Sequence, residues 1–366
     1  EGARSRRQYD SQGRLIAQSN ALDQTSTYTY SAAGNLTCMT SPDGNSVQFE
    51  HDEQGRLTVY HYGGYTQQFN YDEAGRLSML INENGARTTF TYDVMDRLTQ
   101  QVNFDGRTQS YRFNIAGELI ERNDEGLITR SILDQAGRVL QRQIFSDSLP
   151  ENIQQEHFQY GEDGLLQKAW HCTELGHNMI AVEFARDPMG RVVEEVQHVI
   201  GPNEEKIWSH SVKRTFNELG IESQTLYEGL PPIEWQTYGS GHLHGMVLDG
   251  QNIIDFERDK LHREISRQFG STKTERSYDV LSRLLHQCTH SPLIGEEEAL
   301  KRQHHYNAAG QLILIDTGQG AHHYGYDKAG RLISAIQPGL ALQHYRFDPA
   351  GNRLFDSQAM TTPTDN

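Results

Sequence analysis

The chain repeats itself, and that constrains its fold more than any other property. The tract Tyr-Asp-x-x-Gly-Arg-Leu occurs at Tyr9–Leu15, Tyr71–Leu77 and Tyr326–Leu332. Variants keep the frame at Tyr30–Leu36, His51–Leu57, Tyr92–Leu98, Phe113–Leu119, Leu133–Val139, Tyr160–Leu166, Arg186–Val192, Phe216–Glu222, Tyr278–Leu284, Tyr306–Leu312 and Phe347–Arg353. Degenerate copies lie at Tyr238–His244 and Arg258–Glu264. The glycine position of the frame holds Gly throughout, except at Asp96, His262 and Ser282. Most steps between copies are 20 or 21 residues, and longer steps after 137, 164, 190 and 282 carry insertions. A fixed period of this length marks one supersecondary unit stacked many times.

The chemistry of the tract defines the unit. An aspartate opening a turn accepts a hydrogen bond from an amide two residues on, and a glycine three residues later tolerates positive φ. Asp10 with Gly13, Asp72 with Gly75, Asp327 with Gly330 and Asp348 with Gly351 therefore read as hairpin turns. Midway between them stand second turn signals, such as Pro42-Asp43-Gly44-Asn45 and Asn82-Glu83-Asn84-Gly85. Two turns per unit leave two strands of about 6 to 8 residues.

Aromatics recur two apart ahead of the aspartate: Tyr28 and Tyr30, Phe69 and Tyr71, Phe90 and Tyr92, Tyr111 and Phe113, Tyr324 and Tyr326. Residues two apart on a strand share a face, so these pairs are expected to build aromatic ladders along the sheet. The fold expected is all-β: a long antiparallel hairpin ribbon that curls as its twist accumulates.

Composition agrees with a thin sheet. The 366 residues are 36% hydrophobic, with a mean hydropathy of -0.71. Polarity of this degree would read as disorder, were it not for 17 Tyr and 13 Phe held at a period. The net charge of -16 argues against nucleic acid as a partner. Cys38, Cys172 and Cys288 form no CxxC pair, so neither a zinc knuckle nor a disulfide framework is indicated. No stretch has the length and apolarity of a membrane span. The chain opens inside a repeat, and is expected to be a piece of something longer.

The tract and its spacing resemble the YD repeat of Rhs proteins, which are similar to toxin-complex C components and teneurins. The stretch Glu234–Gly245, with Asp255–Glu264 after it, resembles the core of bacterial Rhs effectors of the type VI secretion class. The resemblance implies a β-spiral closing into a hollow shell around a C-terminal toxin, released by self-cleavage at an aspartate-containing segment. This chain departs from that pattern. Asp348-Pro349-Ala350-Gly351 and Asp187-Pro188-Met189-Gly190 resemble the cleavage segment faintly, but both sit in frame as repeat turns.

Other candidates weigh less. His242 and His244 share a strand face and His262 lies one repeat on, a weak metal site whose plainer reading is packing. Gly239-Ser240-Gly241 lacks the helix that a nucleophile elbow needs. Turn aspartates recurring in every unit are turn formers, not paired catalytic carboxylates. The insertions Ser146–Glu156, Gly201–Lys206 and Ser291–Lys301 read as solvated loops, with one helical turn over Glu296–Leu300.

The expected organisation is regular repeats over 1–137, repeats with insertions over 138–236, repeats including the effector-type stretch over 237–356, and a tail over 357–366. The expected function is a non-enzymatic shell segment of a secreted polymorphic toxin, with no cofactor. Its partners would be the encapsulated C-terminal toxin domain and, through N-terminal regions, a secretion spike protein and a chaperone. The alternative is an extracellular glycan-binding scaffold presenting Trp170, Trp208 and Trp235.

Overall fold

Each repeat turn is closed by the same two backbone bonds, and these dictate the strands on either side. In the copy at 52, the Asp52 amide donates to the Arg56 carbonyl (2.9 Å) and the Gly55 amide donates to the Asp52 carbonyl (3.0 Å). The computed structural model describes residues 4–172, 179–201, 205–294 and 299–354. Among these are 33 strands and one 3₁₀ turn, Pro292–Ile294. Of these strands, 31 belong to one sheet of antiparallel pairs, and the last two, Arg346–Phe347 and Arg353–Leu354, pair with each other.

The chain divides into two compact units, one made of Glu1–Thr88 with Arg258–Asn366, the other of Thr89–Glu257. In the first, strands such as Thr25–Tyr30, Leu36–Thr40 and Ser46–His51 follow the 20-residue beat. In the second, strands lengthen to 12 residues at Leu149–Tyr160 and 11 at Lys206–Phe216.

The insertions are the main correction. Residues of the expected loop Ser146–Glu156 instead extend the strands Val139–Ser146 and Leu149–Tyr160, so extra length adds rungs to the ladder. Ala299 and Leu300, expected in a helical turn, open the strand Ala299–Tyr306, where each residue gains a cross-strand partner. The rest of that helical turn, Glu296–Glu298, lies outside the described residues, as do 202–204 of the insertion at 201–206.

Each regular hairpin also carries a bulge. Gln8 pairs with Ala17 but Tyr9 with Leu15, leaving Ile16 unopposed, and the same shift recurs at Thr29/Tyr30, Glu50/His51 and Asn70/Tyr71. A bulge increases the local right-handed twist, so every unit adds one increment of twist at the same edge.

Little is deeply buried. Among the described residues the buried apolar side chains are Ile128, Ala181, Val212, Phe256 and Ala335. Burial alternates instead: in Thr25–Tyr30 the Ser26, Tyr28 and Tyr30 face is half-buried and the threonine face is exposed. The sheet is stabilised by cross-strand pairs of roughly 0.2–1 kcal/mol each, summed over many rungs, more than by a core.

The repeat clasp as candidate functional site

The turn aspartate bonds far more than its own turn. Asp10 Oδ1 accepts from the amides of Gln12 and Arg14 (2.9 Å each), and Oδ2 accepts from Arg14 Nε at 2.7 Å. Asp52, Asp93, Asp187, Asp259 and Asp279 hold their arginines through the same three bonds. At Asp10 and Asp72 the arginine's backbone amide first, and then its guanidinium, hold the carboxyl below the usual range. At Asp93 and Asp259 the guanidinium leads.

So aligned, the guanidinium lies over the aromatic ring that opens the next repeat. Arg14 is 4.9 Å from the Tyr30 ring centroid, Arg56 4.7 Å from Tyr71, Arg138 4.8 Å from Tyr160 and Arg283 4.7 Å from Tyr306. The ring in turn donates its hydroxyl backwards: Tyr30 to the Leu15 carbonyl (2.8 Å), Tyr71 to Leu57 (2.8 Å), Tyr160 to Val139 (3.0 Å). Where all three are present, Asp, Arg and aromatic thus form a clasp joining one unit to the next. At two turns that lack the pair, an asparagine reaches the residue four on: Asn114 Nδ2 donates to Glu118 Oε2 and Asn307 Nδ2 to Gln311 Oε1, both at 2.7 Å.

Sequence reasoning placed the aspartates and aromatics but missed the arginine's reach. Like strands of successive units are two strands apart, so roughly 10 Å separates their rings. That gap is too wide for direct stacking, and arginine fills it. The available signal was Arg four residues after Asp wherever the next unit opens on a ring.

The glycine frame is backbone geometry, not residue type. Asp96, His262 and Ser282, the three non-glycine occupants, take φ of 62°, 61° and 64°. Gly13 sits at 78° with open space around a would-be Cβ.

Within the first unit, early and late repeats meet edge to edge. A Cβ on Gly63 would stand 2.7 Å from Ala329 Cβ. Arg331, already bonded to Asp327 (2.7 Å) and 5.4 Å from the Phe347 ring, also donates to the Tyr65 hydroxyl and lies 4.4 Å from that ring. One repeat on, Asn84 Nδ2 donates to Asp348 Oδ2 (2.9 Å) and Asn84 Oδ1 accepts from the Ala350 amide (3.3 Å). One repeat back, Asp43 and Asn45 border a cleft of about 260 Å³ with Ala309 and Gln311 on its other side. The midway tips of 41–45, 63–64 and 82–86 therefore oppose the clasp turns of 307–311, 327–331 and 348–352 in step.

The remaining candidates fall elsewhere. His244 Nδ1 donates to the Phe256 carbonyl (3.0 Å) and its ring meets Tyr238 edge-on at 6.2 Å, while His262 occupies a left-handed turn position. Among the described residues no three His, Cys, Asp or Glu side chains are grouped to hold a metal. In the second unit a concavity of about 660 Å³ is lined by Phe158, Ile180, Val182, Phe184, Val199 and Trp208. The row Trp170–Ala181–His198–Ser209 puts Trp170 on the face opposite Trp208, and Trp235 Nε1 is committed to Thr225 Oγ1 at 2.8 Å. The three tryptophans form no common platform.

The RHS Repeat family model matches residues 9–46, 71–108 and 306–340, which include the clasps at Asp10, Asp72, Asp93 and Asp327. The chain carries RHS repeats. Double-stranded DNA deaminase toxin A of Burkholderia cenocepacia is 30% identical over 98% of this chain and 27% of its own length. Toxin protein Tse5 of Pseudomonas aeruginosa is 35% identical over 54% of this chain and 15% of its own. The RHS-repeat chain thus spans about a quarter, or less, of these curated relatives. Its fold matches crystal structures of TcdB2-TccC3 and TcdB2-TccC3-Cdc42, each with a TM-score of 0.63 over 95% of this chain and 23% of theirs, at 15% and 14% identity. By their names, both of the curated relatives are toxins.

Proposed function

We propose that these repeats wall off a C-terminal toxin domain of the same polypeptide, as part of a hollow shell built for delivery to competitor or host cells. The observation that carries this reading is the clasp: a device that recurs along the ribbon and binds one unit to its neighbour serves to extend a wall. A ribbon with bulge-driven twist at one edge curls, and curling sheets enclose volume. The toxin relatives supply the class of cargo, and the apolar concavity around Trp208 offers it a surface. The repeats carry no catalytic step in this reading, and any activity lies in the cargo. Export from a bacterial producer by a type VI system, with a spike protein and a chaperone engaged through N-terminal regions, completes the proposal.

The test is the full reading frame, expressed and examined by native size-exclusion, intact mass and limited proteolysis. A C-terminal toxin piece that co-elutes with the repeats and resists protease is the expected result. A toxin domain that is freely cleaved, or that elutes apart without denaturant, overturns encapsulation.

A further inference from the structure

The strand Leu284–His290 carries three metal-ligating residue types on one face. His286, Cys288 and His290 are spaced two apart, so they point the same way. The two histidines are exposed and Cys288 is half-buried. Cys288 Sγ and His290 Nε2 stand 3.2 Å apart. Two ligands on one tetrahedral zinc ion lie roughly 3.5 Å apart, given bonds of about 2.3 Å to sulfur and about 2.0 Å to nitrogen. The pair is therefore already close to the bite of a zinc site. Cys38, by contrast, meets a hydroxyl, Thr40 Oγ1, at 3.9 Å.

The neighbouring strands complete the face. On Thr272–Tyr278, Glu275 opposes Cys288 and Lys273 opposes His290; on Ala299–Tyr306, Lys301 opposes Cys288. Side chains directly opposed across a sheet have Cβ atoms about 5 Å apart, which puts the Glu275 carboxylate within reach of the Cys288–His290 pair. It is turned to Lys273 instead, accepting from Nζ at 2.7 Å, so the three ligands are not gathered together. The plain reading of this face is a thiol–imidazole hydrogen bond beside an ion pair. An exposed ion pair contributes little to a sheet, however, and a divalent cation is a stronger partner for the carboxylate than one ammonium. The ammonium groups of Lys273 and Lys301 favour the thiolate, which is the form of cysteine that binds metal.

We propose that Cys288, His290 and Glu275 form a zinc site across these two strands, with Glu275 exchanging Lys273 for the metal. Sulfur, imidazole and carboxylate together suit zinc rather than magnesium or calcium. Binding displaces the thiol proton, which passes to solvent, and needs no oxidant or reductant. Three protein ligands leave the fourth position to water, so the site is open and exchangeable. The ion ties Thr272–Tyr278 to Leu284–His290 at the end of the hairpin remote from the Asp279 turn. The inference rests on strand register and stands whether or not the ribbon encloses a toxin.

The experiment uses the full-length protein with Cys38 and Cys172 changed to Ser, cobalt(II) as the spectroscopic probe and zinc as the competitor. The parent should show a thiolate-to-cobalt charge-transfer band that zinc abolishes and magnesium leaves alone. Cys288→Ser should lose the band and one equivalent of metal, with its circular dichroism unchanged. His290→Ala and Glu275→Gln should each weaken binding about ten-fold, and Lys273→Met, which releases the carboxylate, should tighten it by about as much. Equal metal content in the parent and Cys288→Ser overturns the proposal, whatever other metal sites the full-length protein holds. A band that survives His290→Ala and Glu275→Gln at unchanged affinity overturns it in favour of a thiol acting alone. Lys273→Met keeps the result readable if Cys288→Ser fails to fold, because unchanged affinity in that variant also overturns the exchange.

Discussion

Arg331 lies 4.4 Å from the centroid of the Tyr65 ring and donates to its hydroxyl, although the two residues are 266 positions apart. The same guanidinium completes its own clasp, bonding Asp327 at 2.7 Å and the Asp348 carbonyl at 2.9 Å. One arginine thus serves the ladder along the ribbon and the contact across it. Tyr62, beside this contact and bonded to Glu83, has its phenol pushed up to about 12 by desolvation and by that carboxylate.

The Arg331–Tyr65 pair makes the first prediction. Tyr65→Ala should destabilise the chain by about 1–2 kcal/mol, from the lost stack and hydrogen bond together. A double-mutant cycle with Arg331→Ala, read by urea unfolding, should return a coupling of about 1 kcal/mol. A coupling near zero would mean that the contact contributes nothing.

The clasp within the ribbon predicts that lysine cannot replace arginine. Arg138→Lys keeps the charge but loses the planar fork on Asp134 and the stack on Tyr160, at a cost of about 1 kcal/mol. Tyr160→Phe removes only the bond to the Val139 carbonyl and should also cost about 1 kcal/mol. Equilibrium unfolding of each variant checks both values.

Backbone geometry at the frame position makes opposite predictions for opposite substitutions. Gly13→Ala, at φ of 78° with free space, should cost about 1 kcal/mol from conformation alone. Ser282→Gly, at 64°, relieves a left-handed backbone at the loss of a long 3.3 Å side-chain bond from Arg263, and should gain about 0.5 kcal/mol. Thermal midpoints that move in the same direction for both would refute the assignment.

Acid should loosen all clasps together. Asp10, Asp72, Asp93 and Asp259 are held below their ordinary value of 3.8, so the folded state binds fewer protons than the unfolded chain. Their contribution is complete above about pH 5 and disappears as pH falls through the lowered folded values. The urea midpoint should stay level from about pH 7 to 5 and fall steeply below about pH 4, less steeply in Asp93→Asn. A level profile down to about pH 3 would show that the carboxylates are not engaged in solution.

The sequence alone determined the period, the turn positions and the all-β class, because these depend on local chemistry. An aspartate bonds its own turn, a left-handed position favours glycine, and residues two apart share a face. The frame was legible even at Asp96, His262 and Ser282, where the glycine is absent but the backbone keeps its turn. What lies between units was not legible. The bulge at Ile16 appears only in the pairing register, and Arg14 meets Tyr30 only because strand spacing leaves a gap for a guanidinium. The insertion at 146–156 reads as loop by composition and folds as strand, since a neighbouring strand offered it partners. Tertiary structure alone decided that Tyr65 meets Arg331. That meeting depends on how much twist the intervening strands accumulate, a sum of small increments that no single residue encodes.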